Sequence, residues 1–355
     1  MTFASITSPP STRIAALDTA RGFAILSVVA SHALLMPEQI GSWIYEFYVP
    51  LFFILAGYLA RPGHVRSRLT GMVRSYFVTC GALFAIWAVL YPLRGEQLSL
   101  LPRAILSILY GRFYDPALPF LTTCCWTGQL WFLTLLCTAT LLFYLLRRLT
   151  DAHPACLAGV LIMLLTAAQL LRQLPFLLPW CVDTAPLGAA YLLAGQWLAR
   201  QDFARRPLHG KMPLLLAFCL LIYLALHDTY DLNLRLYGRF EDLRGPAAFF
   251  LAGTAGSILC LALCVAVAQL PVLGSILRRA GQHSMPIFCW HIFWLWFMDS
   301  VRIRLPAVFS GSPAGQLLYA ALALVAVPLL CVGTVALGQW FCRQVRQFLL
   351  SRSAG

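Results

Sequence analysis

The stretch LDTARGFAILSVVASHALL, residues 17–35, is apolar except for a few polar groups, of which Asp18, Arg21 and His32 can do chemistry. A guanidinium presents fixed, charge-assisted donors that suit phosphate. An imidazole takes up a proton near neutral pH and can serve as a general base. On a helix, Asp18 and Arg21 share a face and can pair. His32 lies eleven residues beyond Arg21, returns to nearly the same face and sits about 16 Å further along the axis. Ionisable groups cost about 2.5–3.5 kcal/mol each in a membrane helix, so they turn toward the bundle interior or a wet cavity. The spacing describes a two-ended site for a ligand with an anionic head and a long thin arm. Coenzyme A carrying a thioester has that shape. The same residues fit a structural role, with Arg21 reaching the inner surface and His32 making an interhelical hydrogen bond. On this helix alone both readings stay open.

The elements that must position these groups follow from composition. The chain has 355 residues, 60% hydrophobic and 11% charged, with a mean hydropathy of +0.78. Soluble domains carry about 25% charged residues, so the deficit indicates a polytopic membrane protein. Ten segments are apolar enough to span a bilayer: 14–36, 43–60, 73–92, 128–146, 155–172, 184–200, 212–227, 246–270, 282–299 and 315–340. Residues 98–110 are apolar but short and carry Pro102 and Arg103, which suits an interfacial or re-entrant helix. With the N-terminus placed in the cytoplasm, sixteen of the 26 Arg and Lys fall on inside segments, nine outside, and Arg21 within the first span. Every inside loop is then basic, as the positive-inside rule requires. The expected fold is an all-α polytopic membrane helix bundle of about ten transmembrane helices with both termini cytoplasmic, forming one domain over 1–355.

The net charge of +13 is scattered between apolar runs. No basic stripe marks a nucleic-acid footprint, so that class of partner is excluded. The twelve cysteines show no CxxC and no metal-like Cys/His spacing; they read as small apolar packing residues, and no metal site is expected. Asp18 and Arg21 interrupt the first apolar segment and no small-residue cleavage site follows it, so a removable leader is not expected. Segments 93–127 and 228–245 are the largest external ones. The second mixes acids, arginines and tyrosines, which suits sugar hydroxyls as well as an ordinary wet loop.

Five motifs in order carry a family resemblance. ALDTARGFAILSVVASHA resembles the first-helix motif of the acyltransferase-3 membrane family, in which ten residues separate an Arg from a His, as they separate Arg21 from His32. FYVPLFFILAGYLAR (47–61) resembles its second-helix motif, GQLWFLTLL (128–136) its Leu-Trp-Phe-Leu helix, and HSMPIFCWHIFW (283–294) its late Ser-x-x-Ile-Tyr-x-x-His helix. DTAPLGAAYLLAGQWL (183–198) is similar to a segment of sugar O-acetylases, the fucose 4-O-acetylase-like type. The chain departs from the family at Ala56, where a Ser is frequent, and at Tyr48, where a His is frequent. It resembles the stand-alone form, without an added hydrolase-like domain.

The resemblance implies an O-acyltransferase of the cytoplasmic (inner) membrane. It would move an acyl group, acetyl first among candidates, from cytoplasmic acyl-CoA to a hydroxyl of an exported or lipid-linked glycan. Acetyl-CoA is then a co-substrate and no cofactor is permanently bound; the partners are acyl-CoA, the glycan acceptor and membrane lipid. Arg21 and Arg74, helped by Arg68 and Arg66, are expected to hold the donor's phosphates, and His32 to be the catalytic base. Arg74 is carried over from the family's basic position at the start of the third helix. His291, Tyr48 and Trp131 are expected to contact substrate. Each has a plainer role: Arg66, Arg68 and Arg74 as inner-surface anchors, Trp131 as packing, His291 as an interhelical hydrogen-bonding group. The alternative function is a transporter or flippase that binds a polar ligand or relays protons through the buried Arg and His.

Overall fold

The computed structural model describes residues 14–33, 43–44, 46–90, 100–113, 115, 117–122, 125–171, 173–205, 210–226, 244–302 and 313–353. Most of the 228–245 loop and Cys124 lie outside them. The described residues hold twelve helices and no strand. They are α1 (Ala15–His32), α2 (Tyr48–Tyr58), α3 (Val65–Leu90), α4 (Leu100–Tyr110), α5 (Trp131–Ala152) and α6 (Leu157–Leu171). Then follow α7 (Ala185–Arg200), α8 (Met212–Leu226), α9 (Arg244–Val267), α10 (Leu273–Gln282), α11 (Ser284–Arg302) and α12 (Pro313–Ser353). The protein is an all-α membrane helix bundle. Each of the ten segments expected to span overlaps one of these helices, and the short segment 98–110 contains α4. Four stretches are long and apolar enough to cross a bilayer: Val65–Leu90, Gly128–Asp151, Gly245–Val267 and Leu317–Gln347. α2 has only 11 residues and α8 only 15, short of the roughly 20 that a full crossing needs.

α1 is the central helix. It packs against α2, α9, α10, α11 and α12, and Leu17, Ala20, Ala24, Ile25 and Val29 are fully buried in the core. The backbones come this close because glycines face backbone. A Cβ on Gly22 would lie 1.8 Å from the Leu277 carbonyl oxygen, and one on Gly281 would lie 1.8 Å from that of Asp18. The α2–α7 crossing repeats the device: a Cβ on Gly57 would be 2.0 Å from the Leu192 oxygen, and one on Gly195 2.0 Å from the Ile54 oxygen. Small residues at helix crossings replace the hydrophobic driving force that lipid does not supply. The outer helices turn apolar side chains outward instead. Val89 of α3, Ile162 of α6, Leu214 and Leu221 of α8, and Leu317 and Leu329 of α12 are all exposed, as a bilayer-facing surface requires.

α10 is an addition to the sequence reading, which left that region as a basic inside segment. Gly274, Leu277 and Gly281 recur at helical spacing and are buried, Gly274 against the end of α9 and Leu277 and Gly281 against α1, while Arg279 stays exposed. Arg278 donates to the Ala268 carbonyl at 2.7 Å, tying α10 to the end of α9. α3 also begins earlier than expected, at Val65, so Arg66, Arg68 and Arg74 lie on its first turns.

Polar ties fix both ends of the bundle. At one end, Asp151 of α5 receives Arg147 at 2.9 Å, Gln196 at 2.7 Å and Arg200. Arg147 also donates to the Ala60 carbonyl at 3.1 Å, and Tyr144 to that of Arg61 at 3.0 Å. At the other end, Arg112 and Asp183 form an ion pair whose side chains are 2% and 1% exposed. Asp115 accepts from the Leu177 amide at 2.7 Å, and Tyr110 donates to the Leu177 carbonyl at 2.7 Å. These contacts clasp the segment after α4 to the segment before α7.

Candidate active site

α1 carries the two chemical groups at its two ends. Near its start, Arg21 pairs with Asp18 at 3.6 Å, an i,i+3 contact, with the Arg21 side chain 30% exposed. Gln282, the last residue of α10, reaches the Asp18 carboxylate at 3.5 Å. The glycine crossing of α1 and α10 is what brings this turn of α1 beside the end of α10. Arg279 and His283 lie exposed on the same part of α10 and its C-terminal cap, so this mouth is richer in donors than α1 alone provides.

At the other end, His32 is the last residue of α1 and is exposed. Its ring faces that of His291 from α11, with centroids 5.1 Å apart and planes tilted by 45°. His291 is fully buried. Its Nδ1 stands 2.8 Å from the Phe288 carbonyl and 3.2 Å from that of Ile287, both in its own helix. Nε2 is buried and meets no hydrogen-bonding atom among the described residues. The interhelical hydrogen bond expected of these histidines is therefore not formed between them. They are neighbours across the α1–α11 contact, one accessible and one enclosed.

Between the two ends, the face of α1 is packed. Ala24 and Ile25 have no exposed surface and Val28 has 5%. Arg21 and His32 thus sit about three turns apart on α1, with small and branched side chains between them rather than an open bore.

The remaining expected residues are placed as follows. Arg68 is half-buried and donates to the Ala56 carbonyl at 2.9 Å, capping the end of α2. Arg74 is exposed on the third turn of α3, and Arg66 on its first. Tyr48, the first residue of α2, is half-buried against the core. Its chain neighbour Phe47 stacks on Phe23 of α1 at 6.4 Å, two and a half turns from His32. Trp131 is half-buried and is linked to His291 through a chain of rings. It contacts Phe132 at 6.3 Å, Phe132 contacts Phe288 at 5.2 Å, and Phe288 contacts His291 at 6.0 Å. Trp294 is used in packing, its indole donating to Thr334 of α12 at 3.0 Å.

Three buried polar features escaped the sequence reading. Gln129, just ahead of the Leu-Trp-Phe-Leu run, donates to the Cys289 carbonyl at 3.3 Å, and its Oε1 is buried without a partner among the described residues. Glu46, read as an external acid, is 5% exposed and lies beside Tyr223 of α8. Arg112 and Asp183 are 71 residues apart, and no local pattern joins them. Gln129 had a signal, its position in a quoted motif. Asp183 likewise opens a quoted motif, but nothing pointed to Arg112 as its partner, and Glu46 had no signal.

Groups of these types can exchange a proton at the His32 end and can bind an anion at the Arg21 end of one helix. A family model described as an acyltransferase domain matches residues 14–343. No curated protein matches the chain, and no solved structure does. With that match running over nearly the whole helical bundle, the chain belongs to the acyltransferase-3 family and is a membrane acyltransferase.

Proposed function

We propose that this chain O-acylates a glycan, moving an acyl group, in the first instance acetyl, from cytoplasmic acyl-CoA to a sugar hydroxyl on the outer side of the inner membrane. The acceptor is an exported or lipid-linked glycan of the kind fucose 4-O-acetylase-like proteins modify. The observation that carries the reading is the placement of Arg21 and His32 at the two ends of the central helix, with His32 accessible and set against a second imidazole. In this reading the bundle crosses ten times with both termini cytoplasmic, which places Arg21 at the inner mouth and His32 toward the outer one.

The donor's phosphates cannot cross hydrocarbon, but its thin arm can. Arg21, held by Asp18, takes the phosphates through charge-assisted hydrogen bonds; Arg74 and Arg68 add positive charge on the same side. The arm then lies along the Ala24–Val28 face, which has to part to admit it. His32 removes the proton of the acceptor hydroxyl as its oxygen attacks the thioester carbonyl. The C–O bond forms, the C–S bond breaks, and the proton passes from His32 to the leaving thiolate. General-base help of this kind is worth about 10²–10⁴-fold. Trp131 and Tyr48 are the candidates for contact with the sugar. Acetyl-CoA is consumed as a co-substrate, and membrane lipid is the surrounding solvent.

The test is acetyl transfer by purified protein in lipid, from labelled acetyl-CoA to sugar acceptors, with His32→Ala alongside wild type. Label should enter the acceptor with wild type and not with the variant. Movement of an intact ligand across vesicles without any acyl donor would instead establish a transporter.

A further inference from the structure

The carbonyl groups beside His291 settle which of its nitrogens carries the proton. Nδ1 faces two backbone oxygens, at 2.8 Å and 3.2 Å. A carbonyl oxygen only accepts, so Nδ1 must be the N–H and the neutral ring must carry its lone pair on Nε2. That nitrogen is therefore a fixed acceptor. It is fully enclosed, without solvent and without a partner among the described residues. A buried unpaired acceptor costs about 1–3 kcal/mol, a cost that packing gives no reason to keep.

Among the described residues, the ring beside His291 that carries an N–H able to relieve it is that of His32. A collinear N–H···N contact has nitrogens about 3 Å apart, and each lies a little over 1 Å from its ring centre, so two imidazoles joined in this way have centroids about 5 Å apart. The His32 and His291 centroids are 5.1 Å apart. The separation is compatible with a bonded pair; the bond forms when a ring N–H of His32 points at Nε2 of His291. His291 cannot turn without losing its two carbonyls. His32, exposed at the helix end and held by no hydrogen bond among the described residues, can turn about its ring torsion.

We propose that His291 is a positioning residue for His32. Its Nε2 accepts the N–H of His32 and holds that ring in the tautomer whose lone pair faces the acyl acceptor. The inference rests on the assignment of His32 as base. As His32 takes the hydroxyl proton it becomes an imidazolium, and His291 stabilises the positive charge through the same N–H without itself gaining a proton. The acceptor hydroxyl meets only His32, because His291 has no exposed surface. The role parallels that of a buried group orienting a catalytic histidine, where loss of the correct tautomer costs about 10⁴-fold in rate.

The experiment compares wild type, His291→Leu and His291→Gln in lipid. The Leu variant replaces a buried imidazole with an apolar side chain and leaves the N–H of the exposed His32 to solvent, so its folded yield should be close to that of wild type. The Gln variant restores an acceptor oxygen near the position of Nε2. Nitrogen-15 NMR of the ring nitrogens, with the His32 signal assigned by its loss in His32→Gln, reports the tautomer directly. Wild type and His291→Gln should each show His32 in one neutral tautomer, and His291→Leu a mixture. Acetyl transfer should fall on the order of 10²–10⁴-fold in His291→Leu and return to within about tenfold of wild type in His291→Gln. A His32 tautomer ratio that is the same in His291→Leu as in wild type overturns the proposal, whatever the activity does. A locked tautomer in a wild-type protein that transfers no acyl group supports the pair and removes the acyltransfer reading of it.

Discussion

The crossing of α1 and α10 links the fold to the site, and a single methyl group tests it. A Cβ on Gly22 would stand 1.8 Å from the Leu277 oxygen, and ordinary contact begins at 3.4 Å, so Gly22→Ala leaves about 1.6 Å to be found. Both partners are helical backbone, which cannot swing aside as a side chain can. The helices must separate or rotate by about that amount. The same crossing carries the 3.5 Å contact between Gln282 and Asp18, which would open to about 5 Å, and Asp18 is what holds Arg21. Overpacking of this kind costs about 1–3 kcal/mol. Gly71 of α3 supplies the control. A Cβ there meets nothing within 4 Å, and Ala is better than Gly in a helix by about 0.5–1 kcal/mol. Thermal melting in detergent, followed by tryptophan fluorescence, should show Gly22→Ala melting below wild type and Gly71→Ala at or above it. The KM for the acyl donor should rise about tenfold in Gly22→Ala and stay unchanged in Gly71→Ala. If the two variants melt together and bind donor alike, the close approach of α1 to α10 is wrong, and with it the account of how Arg21 is held.

Three further outcomes follow from the same geometry. His32→Ala should lose about 10²–10⁴-fold in acetyl transfer while retaining donor affinity, measured by labelled acetyl-CoA binding. Arg21→Ala should do the reverse, raising the donor KM by about 10–100-fold, since a hydrogen bond to a charged group contributes about 1.5–3 kcal/mol. Asp183→Ala should strip Arg112 of its buried partner and destabilise the protein by about 3–5 kcal/mol, whereas the double change Arg112→Met with Asp183→Leu should recover most of that; melting of the three variants decides it.

The membrane class, the order of the helices and the candidacy of Arg21 and His32 were legible along the chain, because each depends on local pattern. Twenty apolar residues announce a helix in lipid whatever surrounds them, and an eleven-residue spacing fixes a shared helix face by geometry alone. The basic run from Arg61 to Arg74 was legible too, but the start of α3 was not, since charged residues there hid that the helix already begins at Val65. Everything that joins distant residues waited for the tertiary structure. No spacing pairs Arg112 with Asp183, sets Gly22 on Leu277, or makes a helix of the basic segment at Leu273–Gln282 that closes on α1. The meeting of His32 with His291 is of the same kind: two imidazoles far apart in the chain whose contact depends on how α1 and α11 pack. A residue's type and its helix face are properties of its own segment, whereas its partner is set by how close another backbone can come, and in this bundle a few glycines decide that distance.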